Sequence, residues 1–370
     1  MVIKNAKVFT KDNIFVDADI QFGEKIERIG AIERSADINA AGCYVIPGLV
    51  EIHAHGAVGQ DASDGDVGGL RKMAKYLASN GITSFCATTM SLPEETLTDA
   101  MHVIRDYERD NDGAKCAGVH LEGPFLAAEK CGAQAPEYLV DPDIGMFERL
   151  NEACGGAVKI VAVAPELKGS EEFIIQTSKV CSVAVAHTAA DYDTAMRAFE
   201  SGASHVIHLY NCMRPFLHRA PGVVGAARDC GATVELISDG LHLHPSTIRA
   251  SFAMFGERAI PVSDSVRCAG MPDGEYELGG QQVFVRDGKS TLADGTIAGS
   301  TINLMSALRN VVSFGVPLEK AVASVTSAPS KVIGMQDEIG SIEVGKCADF
   351  VVLDKDLNVV NVIIDGRVVE

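Results

Sequence analysis

The sequence predicts an α/β fold, a (β/α)8 TIM-like barrel with a small β-sandwich domain built from both chain termini. Three observations carry this expectation. Eight short apolar runs, many of them β-branched, alternate with amphipathic helical stretches from residue 47 onward. The two ends share another style, short alternating strands broken by turn residues. The length of 370 residues accommodates a barrel, which needs about 250, together with an appendage.

Residues 1–46 are the N-terminal part of the small domain, with turns expected at Phe22-Gly23-Glu24-Lys25 and Ala41-Gly42. Residues 47–339 are the barrel. Its strands are expected at Gly48–His55, Ile82–Thr89, Cys116–Glu122, Val158–Ala164, Cys181–His187, Ser204–Leu209, Thr233–Ser238 and Ala259–Asp264. They read as continuous apolar runs because both faces of a parallel sheet are covered. Helical stretches such as Gly69–Asn80, Glu94–Glu108 and Asp191–Ser201 lie between them. In the last, Tyr192, Ala195, Met196 and Phe199 recur at helical spacing, and Gly202 stands where a helix would stop. Tyr276–Thr291, with Gly279-Gly280 and Asp287-Gly288, reads as a hairpin inserted after the eighth strand. Ile302, Met305 and Leu308 read as core packing of a following helix. Residues 340–370 return to the terminal style. Neither end holds enough apolar residues to stand alone, so the two are expected to pair.

Composition narrows the function classes. Apolar residues make up 47% and charged residues 22%, an ordinary globular balance. A net charge of −18 disfavours a nucleic-acid backbone as partner, whereas a small anion remains feasible where a few basic side chains converge. The ten cysteines are scattered without a CxxC pair, no signal peptide precedes the first strand, and no apolar run is long enough to span a membrane. A reduced, cytoplasmic setting is expected.

Barrel active sites lie at the C-terminal ends of the strands. Those ends carry His53 and His55 (first strand), Glu122 (third), His187 (fifth), His208 (sixth) and Asp264 (eighth). In His53-Ala54-His55 the two imidazoles share one side of a strand, where both can face one metal ion. Each residue alone has a plain structural explanation: a packed histidine, a turn at Glu122 before Gly123-Pro124, a helix cap at Asp264. Six metal-ligand or acid/base types at one end of one barrel would need six such explanations at once. His120 shares Glu122's side of the third strand and reads either as a partner to a ligand or as a packed core residue. His102 reads as surface, His205 carries no assigned role, and His218 and His244 carry none beyond a loop contact.

These residues lie in segments with a wider resemblance. Pro47–Gly56, His120-Leu121-Glu122-Gly123-Pro124-Phe125, Val185–Thr188, His208-Leu209-Tyr210-Asn211-Cys212-Met213, Ser238–His242 and Val262–Ser265 resemble the N-acetylglucosamine-6-phosphate deacetylases of the amidohydrolase superfamily. The likeness runs the whole length, including the split terminal domain and Ala269–Gly280; the segments around Glu122 and His208 are its most specific parts. The resemblance implies a reaction: metal-dependent hydrolysis of the N-acetyl group of N-acetyl-D-glucosamine 6-phosphate to D-glucosamine 6-phosphate and acetate, a step of amino-sugar catabolism. It implies that Glu122, His187 and His208 hold the principal divalent metal and that His53 and His55 complete a second position, with Glu122 bridging. Zn or Fe(II) suits such ligands, one or two per chain. Asp264 would be the general acid/base. It would take a proton from a water whose pKa the metal lowers toward ~7, then return it to the departing amine.

The resemblance also implies a substrate pocket. Arg219 and His242 would contact the sugar phosphate, assisted by the backbone near Asn211 and Cys212, and Ala298, Gly299 and Ser300 would line the sugar. A homodimer is implied as well. Gln134 stands where some members carry a substrate-contacting histidine, and Ser265-Val266-Arg267-Cys268 differs from the small apolar residues usual after the catalytic aspartate, with Arg267 either altering the pocket or facing solvent. Three rivals stay open. Deacetylation of N-acetylgalactosamine 6-phosphate differs only at one hydroxyl. A cyclic-amide hydrolase would usually show a bridging lysine after the fourth strand, where Val163-Ala164-Pro165-Glu166 stands instead. A binding-only barrel would be expected to have lost one of Glu122, His187, His208 or Asp264.

Overall fold

The computed structural model describes residues 1–369. Eight parallel strands form the barrel: Leu49–Ala54, Ile82–Thr88, Lys115–Leu121, Val158–Val163, Ser182–Val185, His205–Val206, Thr233–Ile237 and Ala259–Val262. Each pairs with the next in chain order. The seam between the last and the first is closed by the Asp264 N–H donating to the His53 carbonyl at 3.0 Å and by a parallel bridge between Ala54 and Ser265. Helices cover the outside as amphipathic stripes. Val67–Ser79 buries Leu70, Met73, Ala74 and Leu77, and Asp66 caps it by accepting the Gly68 N–H at 2.9 Å. Tyr192–Glu200 buries Ala195, Ala198 and Phe199 and is capped in the same way by Asp191.

Every strand lies where the apolar runs place it, but five end one residue early and three end two or three residues early. The ladder ends at Val185, Val206 and Val262, short of His187, Leu209 and Asp264. Beyond it, His187 (φ 42°), His208 (φ 29°) and Asp264 (φ 46°) take left-handed backbone. Residues with a Cβ rarely adopt such φ values, and they persist where surrounding contacts hold them. There the alternation of a strand no longer dictates direction.

The termini assemble into one hydrogen-bonded sheet of eight strands. Its order runs Arg367–Val368, Val359–Ile364, Phe350–Leu353, Tyr44–Pro47, Val2–Phe9, Phe15–Phe22, Ile26–Gly30, with Ile38–Asn39 also on Val2–Phe9. Three pairings separate the strands of Phe350 and Phe22, roughly 14 Å in a flat sheet. Their rings are 5.1 Å apart. The sheet therefore folds over its own core of Ile3, Val8, Ile20, Val45 and Phe350, and a bridge between Lys25 and Cys347 joins its two sides. Lys115, at the start of the third barrel strand, ties this body to the barrel: its ammonium lies 2.6 Å from Asp349 and 2.9 Å from Asp365.

The insertion after the eighth strand differs from the expected hairpin. It has three antiparallel strands, Gly274–Leu278, Gln281–Arg286 and Lys289–Leu292, turning at Gly279-Gly280 and Asp287-Gly288. Its first strand is exposed at Gly274, Glu275 and Glu277 and so lacks the longer apolar alternation that marks a strand in sequence. Among the described residues no helix is long and apolar enough to cross a membrane.

Candidate active site

The strand ends bring the six expected residues together. His208 Nε2 lies 3.0 Å from His187 Nε2 and 3.0 Å from Glu122 Oε1, and His187 Nε2 lies 3.3 Å from that same oxygen. Beside this group, His53 Nε2 and His55 Nε2 are 3.3 Å apart, and each is 3.3 Å from Asp264 Oδ1. Glu122 joins the two groups, since its Oε2 is 3.1 Å from His55 Nε2. All six are buried.

The geometry of these atoms fits divalent cations. Donors on a tetrahedral ion with bonds of roughly 2.0–2.1 Å stand about 3.3 Å apart, and the atoms here stand 3.0–3.3 Å apart. A backbone carbonyl orients the His187 ring. Its Nδ1–H donates to the Lys130 carbonyl at 2.8 Å, which turns the Nε2 lone pair inward. The loop after Lys130 passes close over the site at Gly132 (φ 58°), where a Cβ would come within 2.5 Å of Cys212 Sγ.

Without a cation, protons take over the balancing of charge. Burial works against an ionised Glu122, but His53, His187 and His208 outweigh it and hold the carboxyl well below the usual range. Burial likewise disfavours a charged His55, but Asp264 and Glu122 outweigh it and hold the ring up to about 9. Asp264 is lowered because His53 and His55 overcome its burial.

The site opens into a cavity of about 270 Å³ lined by His55, Glu122, Gln134, His187, His208, Asn211, Cys212, His242, Asp264 and Gly299, with apolar walls from Met90, Val266, Leu278 and Ile297. Of the expected substrate residues, Asn211, Cys212, His242, Gln134 and Gly299 line it. His242 is held by Asp239, 2.7 Å from its Nδ1. Three others do not line it. Arg219 lies on an exposed loop with its guanidinium on His218 at 2.7 Å. Ala298 is fully buried in the link to the inserted strands, and Ser300 is buried with its hydroxyl donating to the Ser263 carbonyl. Gln134 reaches the cavity, yet its amide is engaged on both sides: Oε1 accepts the Ser91 N–H at 2.7 Å and Nε2 donates to Glu122 Oε2 at 2.8 Å. Arg267 instead pairs with Asp64 at 2.8 Å and Glu277 at 3.0 Å, pinning the inserted strands to the barrel.

Two buried carboxylates escaped the sequence reading. Glu51 accepts the backbone N–H groups of His53 and Ser263, each at 3.1 Å, and so braces the barrel seam. Glu235 lies 2.7 Å from His53 Nδ1 and 3.1 Å from His205 Nε2, which gives His205 the partner it lacked. Acidic residues inside the apolar runs Leu49–Ala54 and Thr233–Ile237 were the available clue, because an unpaired charge there would be costly. His120 packs its ring 4.6 Å from that of His53 and bonds the Ile52 carbonyl at 2.8 Å. His102 is exposed on the helix Glu94–Arg105, and His244 caps the helix Pro245–Phe255 through its Nδ1.

Known proteins share this arrangement. The amidohydrolase family matches residues 44–369. The chain is 35% identical to the N-acetylglucosamine-6-phosphate deacetylase of Bacillus subtilis, covering 100% of this chain and 96% of that protein. It is 33% identical to the N-acetylgalactosamine-6-phosphate deacetylase of Escherichia coli O157:H7, over 92% of this chain and 89% of that protein. The crystal structure of the N-acetyl-D-glucosamine-6-phosphate deacetylase of Mycobacterium smegmatis superposes with a TM-score of 0.94 at 31% identity, over 100% of both chains. The chain belongs to the amidohydrolase family, a family of metal-dependent hydrolases, and within it to the branch that these deacetylases represent.

Proposed function

We propose that this chain removes the acetyl group of N-acetyl-D-glucosamine 6-phosphate, giving D-glucosamine 6-phosphate and acetate. The observation that carries the reading is the convergence of two imidazole nitrogens and one carboxylate oxygen within 3.0–3.3 Å at the mouth of the barrel, with Asp264 on the same cavity. Glu122, His187 and His208 would hold the principal ion and His53, His55 and Asp264 would flank a second, either of them Zn or Fe(II). When bound, such an ion supplies a water of lowered pKa, near ~7, and polarises the acetyl carbonyl.

The chain's own residues do the rest. Asp264, ionised and facing the cavity, accepts the proton of the attacking water and passes it to the amide nitrogen, so that the sugar leaves as a neutral amine. Met90, Val266, Leu278 and Ile297 keep bulk water from the reacting carbonyl. His242, anchored through Nδ1, is left with Nε2 for the phosphate, and Asn211, Cys212 and Gly299 border the sugar.

The finer reading is a cytoplasmic homodimer that binds neither membrane nor nucleic acid. In a dimer the exposed Arg219 would serve a neighbouring chain's cavity. Its loop carries the exposed apolar residues Phe216 and Leu217, which favours a partner there. The function is tested by comparing kcat/KM for acetate release from the gluco and galacto sugar phosphates. Preference for the gluco sugar supports the reading. Preference for the galacto sugar moves it to the activity named for the Escherichia coli relative, and no release from either refutes it.

A further inference from the structure

Glu235 sits in the middle of the seventh barrel strand, fully buried, between the apolar neighbours Val234 and Leu236. A carboxylate in that place costs much unless every oxygen is satisfied. Here three donors converge on it. Oε2 lies 2.7 Å from His53 Nδ1 and accepts the His208 backbone N–H at 3.2 Å; Oε1 lies 3.1 Å from His205 Nε2. His205 is held in turn, its Nδ1 2.7 Å from Thr233 Oγ1. Among the described residues, the only ionic partners of Glu235 are these two histidines.

An ionised carboxylate can only accept hydrogen bonds, so the facing nitrogen of His53 must carry the proton. With the proton on Nδ1, the neutral ring has its lone pair on Nε2, the atom that stands 3.3 Å from both His55 Nε2 and Asp264 Oδ1. The same carboxylate oxygen holds the backbone of His208 in its left-handed turn (φ 29°), from which the His208 ring reaches Glu122 and His187. One side chain thus orients a ligand of each candidate metal group, through the ring in one and through the backbone in the other.

We propose that Glu235 is a positioning residue for both metal positions, setting the tautomer and ring plane of His53 and the turn at His208, with His205 bracing its far oxygen. The inference rests on the metal-site reading given above. It is tested with Glu235→Gln, whose amide is the same size but presents an NH2 to one of two histidine N–H donors. Metal per chain after dialysis should fall by at least one equivalent, with metal affinity about 10–100-fold weaker. The loss of kcat should be reversed by excess metal, with KM for the sugar phosphate unchanged. A variant that keeps wild-type metal content and affinity, or whose lost turnover ignores added metal, overturns the proposal.

Should Glu235→Gln fail to fold, ¹⁵N NMR of histidine-labelled wild-type protein decides. With His53 assigned through His53→Asn, its proton should reside on Nδ1 in the metal-loaded protein, and a proton on Nε2 with a bare Nδ1 contradicts the proposal. Metal content and the His53 tautomer do not depend on substrate. A wild type that binds metal yet releases no acetate would defeat the deacetylase reading, while metal content and tautomer would still decide the role of Glu235.

Discussion

His187 Nε2 and His208 Nε2 lie 3.0 Å apart, buried, with Glu122 Oε1 3.0–3.3 Å from each. Because the Lys130 carbonyl accepts the Nδ1–H of His187, the Nε2 of a neutral His187 ring turns its lone pair toward a carboxylate oxygen. Such a cluster of acceptors repels itself unless a cation lies among them. The cation is either a metal or protons, and this competition shapes how the site responds to pH, chelation and mutation.

The first prediction concerns the two groups. Replacing both His53 and His55 by Asn should remove one metal equivalent and leave the one held by Glu122, His187 and His208, as counted by elemental analysis. Residual activity should persist. A double variant that binds no metal at all would mean that the principal ion sits at His53 and His55 instead.

Asp264→Asn should keep its metal, since the side-chain oxygen remains 3.3 Å from both imidazoles in an isosteric residue. It should lose kcat by ~10²–10⁴, the usual weight of a general acid/base. Steady-state kinetics on metal-loaded protein checks this, and turnover at the wild-type rate would remove Asp264 from proton transfer.

Gln134 was expected to contact substrate, but its amide bridges Ser91 and Glu122. Gln134→Ala should therefore weaken metal binding by roughly tenfold and lower kcat, with KM little changed. A raised KM with kcat and metal affinity intact would return Gln134 to the substrate.

Protons and metal compete at His55. Its ring is held up to about 9 in the folded, metal-free protein against an ordinary 6.5. The stability this contributes is complete below 6.5 and disappears as pH rises through about 9. Metal binding runs the other way, releasing protons at neutral pH and tightening as pH rises toward 9. Melting curves of chelator-treated protein across this range, together with metal titrations in two buffers, give both slopes. A metal affinity independent of pH would show that His55 carries no proton in the metal-free site.

Much of this was legible in the sequence. The eight strands announce themselves as apolar runs, and the six site residues as the polar group that closes a run. The places where reading failed share a physical cause. Strand periodicity says where a side chain points only while the ladder lasts, so the left-handed backbone at His187, His208 and Asp264 could not be read from it. Glu51 and Glu235 interrupt apolar strands, but their partners are distant in sequence; Glu235 and His53 are 182 residues apart. Gln134 and Arg267 were visible as departures from a pattern, and only the fold showed that one holds Glu122 and the other pins the inserted strands.

The central claim is that a divalent ion held at Glu122, His187 and His208 drives deacetylation. Acetate release from N-acetylglucosamine 6-phosphate, followed while Zn or Fe(II) is titrated into chelator-treated protein, tests it most directly. Activity should be absent at the start and should rise with bound metal, with one acetate formed for each free amine. Acetate release at full rate from metal-free protein, or none from the fully loaded protein, would contradict it.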